Sequence, residues 1–206
     1  MQEVTTVYKM TFDGGDVCLD FINSGYDREA GVITERLHSY GNLLTLVERL
    51  GLFDQAVLSY LSELALTNEA EAATALDTTR KLRGLLYQLF ESITQQTTGK
   101  LEDHVVSELN RAFQQALQFK VLSLGPGDVQ FNFDAKAAAL MAPVWRFVLS
   151  AYELLNDDEV RLIRQCARCA WLFVDKTKNH RKKWCSMASC GNRQKTQRYY
   201  LTQKKN

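Results

Sequence analysis

Proline is nearly missing from this chain, two residues in 206, and the eleven glycines are scattered along it. There is no Pro-, Gly- or Ser-rich linker, no low-complexity run and no internal repeat, so disordered and fibrous classes are excluded. No stretch approaches the ~18 uninterrupted apolar residues of a membrane span. Met1 to Met10 lacks the apolar core of a signal peptide. A cytoplasmic chain with no membrane partner is therefore the expectation. Catalytic patterns are also lacking. His38 and His104 fall in helical stretches and His180 in a polar turn, while Asp13, Asp16, Asp20 and Asp27 read as surface acids and helix caps. Without a nucleophile and base, no catalytic residue is expected and no enzyme.

Acid is what the C-terminal part lacks. From Arg161 onward stand 13 of the 25 Lys and Arg but only one of the 24 acids, Asp175. The first 160 residues thus carry a net charge of about −11 and the remainder about +12, an asymmetry that points to a polyanionic partner for the tail. Neutralisation of the tail by the body is the plainer alternative. Cysteine divides in the same way: Cys18 lies alone between apolar residues, as a buried and inert thiol does, and the other four sit together in the basic tail.

What is present in the body is helical periodicity. Val4 to Phe12 is rich in Val, Thr and Tyr and ends at Asp13-Gly14-Gly15, which predicts a strand and a turn. A short buried helix is expected over Val17 to Asn23 and a loop over Asp27 to Thr34. Apolar spacing of three and four then predicts helices from Ser39 to a cap at Gly51, from Asp54 to about Leu66, from Thr67 to Ile93, and from Leu101 to Phe119. Val121 to Phe133, broken by Gly125-Pro126-Gly127-Asp128, reads as a β-hairpin. Asp134 caps a further helix to Leu155 that Pro143 should kink or break. The fold class expected is mainly α: a multihelical N-terminal domain with a small β-hairpin, residues 1–157, followed by a small treble-clef-like zinc finger with a basic C-terminal helix, residues 158–206. Asn156-Asp157-Asp158 marks the boundary and caps a short helix, Glu159 to Gln165, that leads into the finger.

The finger rests on spacing. Cys166-x2-Cys169 and Cys185-x4-Cys190 stand fifteen residues apart, two close pairs that can complete a tetrahedron from opposite sides. Four thiolates close the coordination sphere, so the cofactor is one structural Zn2+ rather than a catalytic one. Trp171 to Val174 and Arg181 to Trp184 read as the two strands of a hairpin, with Trp171, Phe173 and Trp184 as its core. The residues after Cys190 suit a helix.

The residues Trp184-Cys185-Ser186-Met187 and Cys190-Gly191-Asn192-Arg193 resemble the signature of the CGNR zinc finger proteins, and Leu172 to Asp175 and Asn179 are similar to that family's pattern. Cys18-Leu19-Asp20-Phe21-Ile22-Asn23-Ser24 is similar to the opening motif of the ABATE domain that precedes such fingers. This chain departs from its relatives in a shorter first cysteine pair and in Lys182-Lys183 where they carry Arg-Arg. The resemblance implies a bacterial stress-induced transcription regulator whose finger contacts DNA. On that reading the contacts come from Lys176, Lys178, Arg181, Lys182, Lys183, Arg193, Lys195 and Arg198, with Asn192 and Arg193 at a helix start where they reach base edges. For Asn192 a hydrogen bond that steadies the zinc knuckle is an equal alternative. The helical body would sense a small-molecule effector or mediate assembly, including a homodimer. RNA binding and a protein-interaction role for the basic finger remain the competing readings.

Overall fold

The computed structural model describes residues 7–26 and 34–196. Seven α-helices and two antiparallel two-stranded sheets are found among them. Helix α1 spans Val17–Asn23, α2 Tyr40–Arg49, α3 Gln55–Thr67, α4 Glu69–Thr94 and α5 Asp103–Leu117. The hairpin β1 (Lys120–Gly125) and β2 (Asp128–Phe133) follows, then α6 (Ala135–Ala138) and α7 (Ala142–Leu155).

Local chemistry sets most of these limits. The Ser39 hydroxyl accepts from Asn42 N while the Asn42 side chain takes the backbone N–H of Ser39, a reciprocal cap that starts α2. Gly51, at φ +66°, takes the left-handed conformation just after the helix ends. Asp54 and Asp134 cap α3 and α6 through Val57 N and Ala137 N. The break before Pro143 falls at Ala139, and the proline then occupies the first turn of α7, where its missing N–H costs nothing. By length and composition Ala135–Leu155 could cross a membrane, but most of it is buried inside the protein.

Helix α4 runs through the middle of the body, and α1 packs against both it and α7, with the Phe21 and Phe147 rings stacked 4.1 Å apart. Leu19, Phe21, Ile22, Leu43, Leu86, Phe90 and Leu149 are fully buried around this crossing. Burial of each such side chain stabilises the fold by about 1.5–3 kcal/mol, which makes the bundle the main source of stability.

Three local expectations fail. No strand forms in residues 7–12: Val7–Lys9 is a turn of 3-10 helix. Arg49 donates to the carbonyls of Val7 and Met10 and lies 4.6 Å over the Phe12 ring, so the carbonyls a neighbouring strand would use belong to a side chain of α2. Residues 1–6, and most of the expected loop from Asp27, lie outside the described residues. The expected helix from Glu159 to Gln165 is instead a 3-10 turn, Asp158–Leu162, followed by strand β3, Ile163–Gln165. Asp20 is no surface acid. It is buried, and its carboxylate accepts from Gly14 N at 2.8 Å.

Asp20 carries a pH dependence. Burial, with smaller contributions from Asp13 and Asp16, outweighs the Gly14 hydrogen bond and raises its pKa from 3.8 to about 7. The folded state therefore holds a proton that the unfolded state has released, and stability falls as pH rises from about 4 through about 7. A shift of this size corresponds to roughly 4–5 kcal/mol at ~1.4 kcal/mol per unit. Asp20→Asn should flatten this slope and raise stability at pH 8, as read by urea unfolding at pH 5 and pH 8. An unchanged slope would place the titrating group elsewhere.

Candidate metal centre

The finger is built outward from strand β4, Leu172–Val174, which pairs antiparallel with β3 as Ile163↔Val174, Arg164↔Phe173 and Gln165↔Leu172. The first cysteine pair lies in the turn between these strands. Cys166 N donates to Trp171 O at 2.8 Å and Ala170 N to Cys166 O at 3.3 Å, which curls the knuckle. Of the second pair, Cys185 precedes and Cys190 lies within a π-helical turn, Met187–Gly191, that continues as helix over residues 192–196. Gly191 is buried there, with Gly191 N donating to Ser186 O at 3.0 Å.

The returning strand expected over 181–184 does not form. The reason is that the second edge of β4 is already taken. Leu172 N donates to Asn23 Oδ1 and Asn23 Nδ2 donates to Leu172 O, both at 2.9 Å, and Val174 N donates to Gly14 O at 2.9 Å. The chain after β4 folds around a side chain instead. The buried Asp175 carboxylate accepts from Thr177 N, Thr177 Oγ1 and Lys182 N at 2.6 to 3.1 Å. Burial alone would raise its pKa, but these bonds outweigh it and hold the carboxyl below the usual range.

These turns bring Cys166, Cys169, Cys185 and Cys190 together, all buried, with their sulfurs within 4.8 Å of one another. Cys169 and Cys185 sulfurs are 3.6 Å apart and those of Cys185 and Cys190 3.7 Å. A tetrahedral zinc with bonds of ~2.3 Å needs sulfur edges of ~3.8 Å, so the four fit that ion. Their electrostatics point the same way. Hydrogen bonds from Cys169 and Cys185 hold the Cys166 thiol well below its usual pKa; the same bonds push Cys169 and Cys185 up, and burial pushes Cys190 up. Four sulfurs this close need a dication before all can ionise. His180 takes no part: it is exposed, and its Nδ1 lies 2.9 Å from Asp175 O.

Trp171 and Phe173 pack around the cysteines with Trp184 at the edge, and Met10 and Phe12 join them from the N-terminal segment. No motif marked those last two, because they reach the finger only through the docking of residues 7–15. Further ties hold it to the body. Gln165 Nε2 donates to the Tyr87 hydroxyl and to Glu91 Oε1 at 2.9 and 2.7 Å, Trp171 Nε1 donates to Tyr26 O, and Arg36 lies 5.7 Å over the Trp171 ring. Ile163, Leu172 and Val174 belong to the core of the helical bundle itself.

The sequence of residues 15–158 matches the family model described as "Putative stress-induced transcription regulator". The chain belongs to the ABATE family. Residues 162–202 match the CGNR zinc finger. Both descriptions are of regulator and zinc-finger types, not enzymes. No curated protein matches the chain. The ABATE motif from Cys18 to Ser24 now has a physical sense: its Asp20 holds Gly14 and its Asn23 holds Leu172, the two points at which the body grips β4. At Gly14 a Cβ would stand 2.8 Å from Asp20 Oδ1, so the grip admits no side chain there.

The cations named from the sequence are spread over the outer side of the finger. Lys178, Arg181, Lys183, Arg193 and Lys195 are exposed. Lys182 is half-buried, its ammonium 4.9 Å over the Phe173 ring. Lys176 pairs with Glu159 at 2.9 Å. Asn192 is exposed, with its Nδ2 3.4 Å from Ala188 O in its own helix. Arg198 lies outside the described residues. Arg168 was not singled out from the sequence. It sits in the knuckle, where Ala167 N donates to Lys183 O at 3.0 Å and brings the two turns side by side.

Proposed function

We propose that this ABATE protein is a cytoplasmic transcription regulator whose zinc finger binds duplex DNA through its phosphates. One observation carries the reading: between residues 161 and 196 the only acid is Asp175, and it is buried, so the exposed surface of the finger bears cations and no carboxylate. The opposite side of the finger is fastened to a body of net charge about −11. A polyanion is therefore drawn to one face and repelled from the rest. Lys178, Arg181, Lys183, Arg193 and Lys195 are the phosphate contacts of this proposal, and Arg168 extends the set. Zinc, when bound, fixes the relative positions of the knuckle and the helix start that carry these side chains. Lys182 and Asn192 serve chiefly to steady the finger, through the Phe173 ring and the Ala188 carbonyl.

Salt dependence tests the proposal. Each phosphate contact on duplex DNA contributes about 0.9 to the slope of log affinity against log salt. Arg181→Gln and Lys183→Gln should each flatten the slope by about that amount, whereas Lys176→Gln, whose ammonium is paired with Glu159, should change it little. Zinc-loaded protein with no salt-dependent affinity for DNA overturns the reading. Salt-dependent affinity for structured RNA alone replaces DNA with RNA.

A further inference from the structure

The β1–β2 hairpin stands out from the body with one face apolar and uncovered. Its register places Leu122 opposite Phe131 and Leu124 opposite Val129 on the same face as Phe133. Phe133 is half-buried at the base of this face, its ring centroid 6.1 Å from that of Phe53 and 6.3 Å from that of Phe119. Beyond Phe133 the apolar face continues into solvent. Leu122 is 51% exposed, Leu124 75%, Val129 65% and Phe131 63%. The opposite face is mainly polar, with Ser123, Gln130 and Asn132, and an Asn132 to Ser123 hydrogen bond of 2.8 Å ties it across the strands. Between Val121 and Phe133 the only charged residue is Asp128, at the tip.

We propose that two copies of this chain form a symmetric dimer by packing these hairpin faces against each other. A two-stranded hairpin is marginal by itself and gains stability when its apolar face is covered. The one charge on this face, Lys120 opposite Phe133 at its base, is already paired with Glu153 at 2.6 Å. The face thus offers little to an ionic partner, while a second copy matches it by construction, being as apolar and as long. Four large side chains exposed to this degree present on the order of 400 Å² per chain, a patch size that marks interaction sites on soluble proteins. Two such patches face to face remove ~800 Å² of apolar surface, and with a polar rim they reach the ~1,200 Å² at which specific interfaces begin. Side chains from two stacked sheets interdigitate at ~10 Å, a spacing these residues can fill.

The dimer is independent of what the finger binds, and it is tested without nucleic acid. Sedimentation of the zinc-loaded full chain should show a dimer. Combined Leu124→Glu and Phe131→Glu should convert it to a monomer of unchanged helical circular dichroism, and Gln130→Glu, on the polar face, should leave it dimeric. A second measurement needs no variant: amide exchange in residues 121–133 should slow as the concentration of the unaltered chain is raised through the dimer transition. An unaltered chain that stays monomeric at its highest soluble concentration overturns the proposal, as does a folded double variant that is still dimeric. Exchange in 121–133 that does not respond to concentration while dimers form places the interface elsewhere and overturns it equally.

Discussion

Chelation of zinc is expected to release residues 175–196 while the helices of the body and strand β4 stay in place. The body has its own core around Phe21, Phe90 and Phe147, and β4 is held from that side through Asn23 and Gly14. Beyond β4 the finger is ordered by little apolar packing, that of the half-buried Trp184 and the cysteines, together with the Asp175 turn, the Ala167 to Lys183 hydrogen bond and the contacts of Lys176 and Lys182. Metal binding in isolated zinc-finger peptides contributes about 10–16 kcal/mol at neutral pH, far more than so little apolar burial can replace. Amide exchange with and without chelator reads the outcome. Protection should be lost after Asp175 and kept at Leu172 and Val174, and metal analysis of the untreated protein should return about one zinc per chain. Collapse of the main helical signal on chelation would show that body and finger fold as one inseparable unit. Unchanged exchange in 175–196 would show that the metal is not structural.

Asn23→Ala should be among the most damaging single substitutions in the chain. The Asn23 side chain satisfies both backbone groups of Leu172, and Asn23 and Leu172 are fully buried. Removing it strands a buried N–H and a buried carbonyl, each at about 1–3 kcal/mol, and leaves a small void. A loss of about 3–6 kcal/mol follows, large against the 5–15 kcal/mol of a typical domain. Asn23→Asp tests the geometry separately, because the carboxylate can accept from Leu172 N but cannot donate to its carbonyl. Chemical denaturation with zinc present should rank the unaltered chain above Asn23→Asp and Asn23→Ala. A cost below about 1 kcal/mol for Asn23→Ala would mean that water takes over both bonds.

Where an element is decided by neighbours in sequence, it was legible there. The caps at Ser39, Asp54 and Asp134, the break at Pro143 and the Gly125 to Asp128 turn are local chemistry. The cysteine pairs were legible for the same reason, because two short spacings already prescribe a tetrahedral donor set. Elements decided at a distance were misread. Residues 7–12 have strand composition, yet Arg49 takes their carbonyls. Residues 163–165 follow a helix-capping signal but pair with β4, and residues 181–184 lost their expected partner edge to Asn23 and Gly14. The seat of the finger was the least visible part. Its one local sign was a polar residue at the end of an apolar helix, Asn23, whose partner lies 149 positions away.

Because Ile163, Leu172 and Val174 complete the core of the helical bundle, the order of synthesis matters. Domains usually fold as units while the ribosome is still extending the chain. Here the first 160 residues emerge with a slot in their core, and the side chains that fill it are made only afterwards. A nascent chain stalled near Asn156 exposes that slot, which closes only once Ile163, Leu172 and Val174 have left the ribosome. Products truncated before Ile163 should therefore be strong chaperone clients, and chains that extend past Val174 weak ones.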